Sequence, residues 1–170
     1  LPLTVAEQKG FFKDEGLDVE IVDFAGGAKA LQAVVGGSAD VVSGAFEHNI
    51  NMQAKGQSMR AFVLQGRAPQ IVLAVSTKTM PNFKTVADLK GKKIGVSAPG
   101  SSTNIMANYV LAKNGLKPSD VSFVGVGVSQ GAVAALRSGQ IDAISNLDPA
   151  VTILERNNDI KIISATRDVA

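Results

Sequence analysis

The chain has 170 residues, of which 45% are hydrophobic and 19% charged, and its formal net charge is +2. This is the composition of an ordinary globular protein, and the length suffices for one good core or two small lobes. The 17 Lys and Arg are scattered without forming a basic stripe, so no nucleic-acid partner is expected. A chain without cysteine forms neither a disulfide nor a thiolate metal site. No apolar run approaches the about 20 residues that cross a bilayer.

An internal repeat organises the chain. In the first half EGLDVEIVDFAGG leads into AKALQAVVGGSADVVSGA, and in the second half NGLKPSDVSFVGVG leads into VSQGAVAALRSGQIDAISNLDP. In each copy a glycine, Gly16 or Gly115, is predicted to end a helix in the left-handed conformation. A short apolar strand follows, residues 19–24 or 121–126, and then an alanine-rich helix. Each copy ends in a further short strand, ADVV or IDAI, and the segment MRAFVL predicts one more strand in the first half.

This alternation predicts an α/β fold with mostly parallel sheets flanked by helices. Two copies of one unit predict two lobes. We expect residues 1–70 to form lobe I, 71–76 a crossing or hinge segment, 77–163 lobe II, and 164–170 the start of a return to lobe I. The alternative is a single sheet of six or seven strands with accidental internal similarity.

The repeat also predicts a missing element. The second half begins with the strand KKIGVSA before its GSST turn, whereas alignment of the two copies places Leu3 and Thr4 beside the equivalent turn. Lobe I therefore lacks a first strand, which would be central and buried on both faces. We expect the chain to be an excerpt of a longer protein.

The stretch VSAPGSSTN, residues 96–104, is the strongest candidate for a binding site. It lacks the lysine of a P-loop and the glycine spacing of a dinucleotide-binding loop. What remains is a helix N-terminus with free N–H groups and the hydroxyls of Ser101, Ser102 and Thr103, which suits a small anion such as a carboxylate or sulfonate. The alternative is that Ser102 or Thr103 caps the helix, and the two roles are compatible.

Further candidates follow the other predicted strands, because ligands of open α/β sheets lie at the carboxyl ends of strands. The residues after ADVV are SGAFEH, those after IDAI are SNLDP, and MRAFVL ends at Gln65. Gly26 and Gly27 allow either a tight turn or a close approach to the ligand. The predicted ligand-binding residues are Thr4, Ser43, Gly44, Phe46, His48, Gln65, Ser101, Ser102, Thr103, Asn146 and Asp148.

No catalytic residue, metal site or cofactor is predicted. His48 is the only histidine, and the chain contains no nucleophile-elbow motif that would pair it with a serine. A zinc site needs three or four ligands, which one histidine without cysteine does not supply. His48 is expected to line the cleft or face solvent.

At this point the sequence resembles a known family. The opening LPLTVAEQKGFFKDEGLDVEIVDFAGGAKALQAVVGGSADVVSG, then TVADLKGKKIGVSAPGSST and GQIDAISNLDPA, resemble bacterial ABC-transporter solute-binding proteins of the nitrate, sulfonate and taurine type. Related binders of thiamine-pathway pyrimidine precursors share the pattern. The resemblance implies a two-lobe, type II periplasmic-binding-protein-like fold that closes over a small organic anion of sulfonate, taurine, nitrate or carboxylate type.

The resemblance also implies the setting. It implies a monomer, without enzymatic activity, that is periplasmic or lipid-anchored outside the cytoplasm and docks on the permease subunits of an importer. Complete members carry a signal peptide, a further first strand and a C-terminal return, which this sequence does not contain.

Two alternatives come from other classes of protein. One is the effector-binding domain of a LysR-type regulator, which shares the two-lobe architecture. The other is a hydroxymethylpyrimidine synthase, whose cysteine-rich motif cannot exist in a chain without cysteine. The absence of Trp and the single Tyr leave few rings to stack on a pyrimidine, which favours a small anion.

Overall fold

The computed structural model describes residues 2–67 and 70–168, without the side chain of Asp168. The described residues contain one five-stranded sheet in the order β3-β2-β4-β1-β5. The strands are β1 Val72–Ser76, β2 Lys93–Val96, β3 Ser122–Gly125, β4 Ala143–Asn146 and β5 Ile160–Ala165. Strand β2 pairs in parallel with β3 and β4, as predicted, whereas β1 is antiparallel to both β4 and β5.

Seven α-helices accompany this sheet within the described ranges: α1 Pro2–Gln8, α2 Phe11–Asp14, α3 Gly27–Val35, α4 Glu47–Ala54, α5 Ser102–Lys113, α6 Gln130–Ser138 and α7 Ala150–Arg156. Short 3-10 turns occupy Val86–Leu89, Pro118–Asp120 and Thr166–Asp168. None of the described helices combines the length and the apolar character that crossing a membrane requires.

The core lies on both faces of the sheet. Leu73 and Val75 of β1 belong to a cluster on the α5 side, and Ala74 between them belongs to a cluster on the side of α6 and α7. This follows from the alternation of side chains along a strand. Each fully buried leucine contributes about 1.5–3 kcal/mol to folding, so the two clusters hold the helices against the sheet.

The predicted strands of the first half are not formed. The structure assigns no strand to residues 19–24, 39–42 or 59–64, although the corresponding segments of the second half form β3, β4 and β5. Apolar side chains of these segments are exposed, with Val22 at 58%, Phe62 at 75% and Leu64 at 79%. A strand needs a neighbour to pair its backbone N–H and C=O groups, and none of these segments pairs with a strand of the described sheet. The division into two lobes stays a prediction.

The segment predicted as a hinge lies inside the sheet. Residues 72–76 form β1, between β4 and β5, and Leu73 and Ala74 are fully buried. The predicted return of residues 164–170 begins at the end of β5 and continues into the 3-10 turn Thr166–Asp168, and residues 169 and 170 lie outside the described residues. The hinge role of 71–76 stays a prediction. The strand within this segment, β1, pairs with a neighbouring strand along each of its edges.

Candidate functional site

Three buried hydroxyls form a closed ring between β2 and α5. Ser97 Oγ lies 2.8 Å from Ser101 Oγ and 3.0 Å from Thr103 Oγ1, and the last two oxygens are 2.8 Å apart. A hydroxyl carries one hydrogen, so the three contacts of the ring use all three hydrogens. Ser97 donates to Ser101, so Ser101 donates to Thr103 and Thr103 donates to Ser97. Ser101 and Thr103 are both predicted to bind the ligand.

The ring anchors the first turn of α5. Thr103 Oγ1 accepts the N–H of Ser97 at 2.9 Å, and the Thr103 carbonyl accepts the hydroxyl of Ser145 at 2.7 Å. These bonds tie the end of β2, the start of α5 and strand β4 together. The first N–H groups of a helix have no intrahelical partner, so the ring fixes the position of a set of free donors.

Ser102 differs from its two neighbours. Its side chain is half-buried, and its hydroxyl makes no hydrogen bond to another described residue. Of the three hydroxyls predicted to contact the ligand, it is the one whose hydrogen the ring does not use. The prediction that Ser102 or Thr103 caps this helix is not met, because α5 already begins at Ser102 and its N-cap residue is Ser101, which makes no side-chain capping bond to a backbone N–H.

Two buried side-chain nitrogens have no hydrogen-bond partner among the described residues, namely His48 Nε2 and Asn104 Nδ2. Their residues are only 6% and 9% exposed. A buried polar group without a partner costs about 1–3 kcal/mol, and such a loss is expected where a ligand completes the bonding. Asn104 Oδ1 accepts the N–H of Gly100 at 2.9 Å, which identifies Nδ2 as the atom that is left free.

The start of α3 lies against both groups of residues. A Cβ on Gly27 would stand 2.9 Å from His48 Nε2, and a Cβ on Gly26 would stand 3.2 Å from Ser97 Oγ. The two glycines therefore allow a close approach, one of the two roles predicted for them. The N-terminus of α3 thus meets His48 and the turn that carries the hydroxyl ring.

Four predicted residues lie around this region in the first half. Ser43 Oγ donates to Gln65 Oε1 at 2.9 Å, so two predicted ligands meet each other on the surface. Gly44 lies beside the His48 ring, since a Cβ on Gly44 would stand 3.5 Å from the His48 Cδ2. Phe46 is 65% exposed and lines an open concavity with polar residues of α4, such as Asn49 and Gln53. Their roles in ligand binding stay predictions.

The remaining predicted residues already have partners or lie apart. The Asn146 amide is fully buried, with Nδ2 donating to the Gly127 carbonyl and Oδ1 accepting the N–H of Leu147, both at 2.9 Å. Asp148 Oδ1 accepts both the N–H and the hydroxyl of Thr152. Thr4 lies exposed on α1. A ligand would have to compete with these bonds at Asn146 and Asp148.

Sequence reasoning missed Ser97 and Asn104. Both belong to the stretch VSAPGSSTN, but the hydroxyls beside the helix start drew the prediction instead. The available signal was the position of Asn104 in the first turn of α5, where a side-chain amide can reach both the preceding loop and a ligand. No group of three His, Cys, Asp or Glu that could hold a metal occurs within the described ranges.

The charges near these residues are few. Residues 24–28 and 96–104 contain no charged side chain, and Glu47 is the one charged residue of 43–48. Glu47 Oε1 is itself buried without a partner among the described residues. The arrangement can therefore hold a small anion through neutral donors and helix N-termini, with one carboxylate nearby in the sequence.

Solved structures share this architecture. The structure of a protein from Bordetella bronchiseptica RB50 is 72% identical with a TM-score of 0.96, and the match covers 98% of this chain and 52% of that one. The alkanesulfonate-binding protein SsuA from Xanthomonas axonopodis pv. citri, bound to MOPS, is 26% identical with a TM-score of 0.76, over 99% of this chain and 58% of that one. These similarities confirm the predicted α/β, periplasmic-binding-protein-like fold class.

Curated relatives agree in part. A Brucella abortus (strain 2308) protein named as a binding protein is 32% identical over 168 residues, which cover 96% of this chain and 49% of that protein. The relatives also include pyrimidine phosphate synthases of two yeasts, each 26% identical. The chain spans about half the length of the curated relatives it matches first. The model of the NMT1/THI5-like family matches residues 1–166, and the chain belongs to that family.

Proposed function

We propose that this chain forms the ligand-binding part of an extracytoplasmic solute-binding protein of an ABC importer. Its ligand is a small organic anion of the sulfonate, taurine, nitrate or carboxylate type. The protein acts as a monomer in the periplasm or on a lipid anchor and delivers its ligand to the permease subunits. No residue is assigned a catalytic role.

The observation that carries this proposal is the pair of buried side-chain nitrogens without partners, His48 Nε2 and Asn104 Nδ2. Both lie at helix N-termini, Asn104 in the first turn of α5 and His48 against the start of α3. Helix N-termini carry partial positive charge and free N–H groups, which favour an anion. The similarity to an alkanesulfonate-binding protein supports the same class of ligand.

The proposal includes closure about the segment 71–76. His48 precedes this segment in the chain and Asn104 follows it, so one ligand that contacts both residues bridges the two predicted lobes. A ligand shifts a conformational equilibrium by its differential affinity for the two states. Contacts from both lobes exist only in the closed state, so ligand binding favours closure, and the closed surface is the one that docks on the permease.

A second candidate function is the binding of a pyrimidine precursor. Its enzymatic form would be the reaction of the pyrimidine phosphate synthases. The yeast relatives favour it, since they are pyrimidine phosphate synthases. The absence of cysteine in this chain speaks against the enzymatic form, because the resemblance assigns a cysteine-rich motif to those enzymes. A pyrimidine precursor therefore belongs in the ligand panel.

Thermal shift and titration calorimetry on the protein expressed from its complete reading frame test the proposal. The panel contains ethanesulfonate, taurine, nitrate, acetate, benzoate and a hydroxymethylpyrimidine at millimolar concentration, with potassium chloride as the ionic-strength control. A ligand at 100 times its Kd contributes about 2.7 kcal/mol, which raises Tm by several degrees in domains of this size. A shift with one anion class supports the proposal, a shift with the pyrimidine alone supports the second candidate, and no shift refutes both.

A further inference from the structure

The two unpartnered donors belong to one connected group of contacts. His48 Nε2 faces Gly27, and Gly26 beside it faces Ser97 Oγ. Ser97 bonds to Ser101 in the ring. Ser101 is the residue before α5, and Asn104 lies in the first turn of that helix. Through these contacts the start of α3, which His48 faces, lies against the turn whose Gly100 N–H donates to Asn104 Oδ1.

The hydroxyl ring reduces the number of side-chain hydrogen-bond donors that a ligand could use at the turn 96–104. Its three hydrogens are used within the ring, and the Asn146 amide is bonded to Gly127. The side-chain donors left for a ligand here are His48 Nε2, Asn104 Nδ2 and the hydroxyl of Ser102. Only the first two are buried without a hydrogen-bond partner among the described residues.

No buried cation accompanies these donors, since no Lys or Arg among the described residues is buried. The turn 96–104 is uncharged, and Lys29, the cation nearest in sequence to Gly27, has an exposed side chain in the first turn of α3. The charged residue nearest in sequence to His48 is Glu47, a carboxylate. A second negative charge on a ligand would thus be buried without a compensating cation, which is unfavourable.

We propose that His48 Nε2 and Asn104 Nδ2 donate to the same oxyanion head and that the site selects a singly charged head over a doubly charged one. This inference rests on the proposed function, and it adds the two side-chain donors and the charge class of the ligand. In this arrangement His48 donates as the neutral tautomer that carries its hydrogen on Nε2.

Calorimetric Kd values for ethanesulfonate test the donors, or those for nitrate or acetate if these are the panel members that bind. Asn104→Asp keeps the oxygen that accepts the Gly100 N–H but replaces the donor by a negative oxygen, and we expect affinity to fall at least about 100-fold. Asn51→Asp adds the same charge on the exposed face of α4 and is the matched control. His48→Leu removes the donor and weakens binding about 10- to 100-fold, whereas His48→Gln, which keeps a nitrogen donor, retains more affinity.

A matched pair of esters tests the charge class. Ethyl sulfate carries one negative charge, and ethyl phosphate carries nearly two at neutral pH because its second pKa is about 6. We expect ethyl sulfate to bind at least about 10-fold more tightly. Equal affinity for the two esters overturns the charge selection.

Failure of this inference is distinct from failure of the proposed function. If the wild-type protein binds none of the anions, the proposed function fails. If it binds ethanesulfonate and both variants keep its affinity, the two donors are wrong while the function stands. In wild-type protein the NMR signals of the Asn104 side-chain amide shift when the bound anion is added, and unchanged signals overturn the assignment whether or not the variants fold.

Discussion

His48 Nε2 lies 2.9 Å from the point that a Cβ on Gly27 would occupy. Real Cβ atoms are not found this close to a side-chain nitrogen, so the imidazole holds its position only because residue 27 has no side chain. The helix that begins at Gly27 and the histidine of α4 are thus fitted to each other. A single methyl group added at residue 27 would therefore displace the His48 ring.

Gly27→Ala should weaken anion binding without destabilising the protein. The new methyl group displaces the His48 ring, and we expect the affinity for the bound anion to fall about 10-fold. Alanine in place of a helical glycine favours the helix by up to about 1 kcal/mol, so the free energy of unfolding should stay equal or rise. Calorimetry and urea unfolding measure the two quantities. Gly66→Ala, where a Cβ would meet nothing within 4 Å, is the control, and unchanged affinity in Gly27→Ala would contradict the role of His48.

Thr103→Val should destabilise the protein through the hydroxyl ring. The substitution keeps the shape of the side chain, opens the ring and leaves the N–H of Ser97 without its acceptor. Loss of a partner for a buried donor costs about 1–3 kcal/mol of unfolding free energy. Ser102→Ala, at the neighbouring half-buried hydroxyl, should stay within about 0.5 kcal/mol of the wild type. Equal stabilities of the two variants in urea unfolding would show that the ring contributes nothing.

Gly95→Ala should overpack the sheet next to Ile141. A Cβ on Gly95 in β2 would collide with the Ile141 Cδ1; Gly95 is buried, and Ile141 belongs to the core cluster on the side of α6 and α7. Overpacking of this kind costs about 1–3 kcal/mol. The double variant Gly95→Ala with Ile141→Val removes the colliding methyl group and should recover stability relative to Gly95→Ala alone. If the double variant is less stable than the single one, the collision is not the cause.

Asp88 should stabilise the protein at neutral pH and lose this effect in acid. The N–H groups of Thr85 and Lys84 donate to its carboxylate and hold the pKa of Asp88 below its ordinary value. The unfolded chain therefore binds the proton at a higher pH than the folded chain, so this stabilisation is present above the ordinary pKa and is lost as the pH falls through the folded pKa. Asp88→Asn should lower Tm at pH 7, and the difference from wild type should shrink in acid. A difference in Tm that is independent of pH would refute the assignment.

Local signals in the sequence predicted the second half well. The apolar run 121–126 contains β3, and the segment IDAIS covers β4 except for its last residue, Asn146. Gly115 has a φ of +77°, as predicted for a left-handed helix end. These features depend on residues close together in sequence, which is the information that periodicity and glycine placement carry.

Strand pairing and side-chain direction could not be predicted from such local signals. Residues 19–24 have the same apolar character as β3, but a strand forms only with a neighbour, and pattern alone does not supply one. The turn 96–104 was correctly found as a polar helix start, yet the ring that consumes the hydrogens of Ser101 and Thr103 depends on the rotamer of Ser97. The sequence shows which donors are present, and only the fold shows that His48 and Asn104 are the buried ones left without partners.

The central position of β1 has a consequence for synthesis of the protein. Synthesis of β1 is complete once Ser76 has been added, but both of its neighbours, β4 and β5, are made much later. The hydrogen bond between Ile71 and Thr166 likewise joins residues 95 positions apart. Four of its five residues are buried in the finished sheet. Pairing between distant segments is slow, and an apolar strand without neighbours is prone to aggregate. Strand β1 is therefore exposed to aggregation until β4 and β5 are available to pair with it.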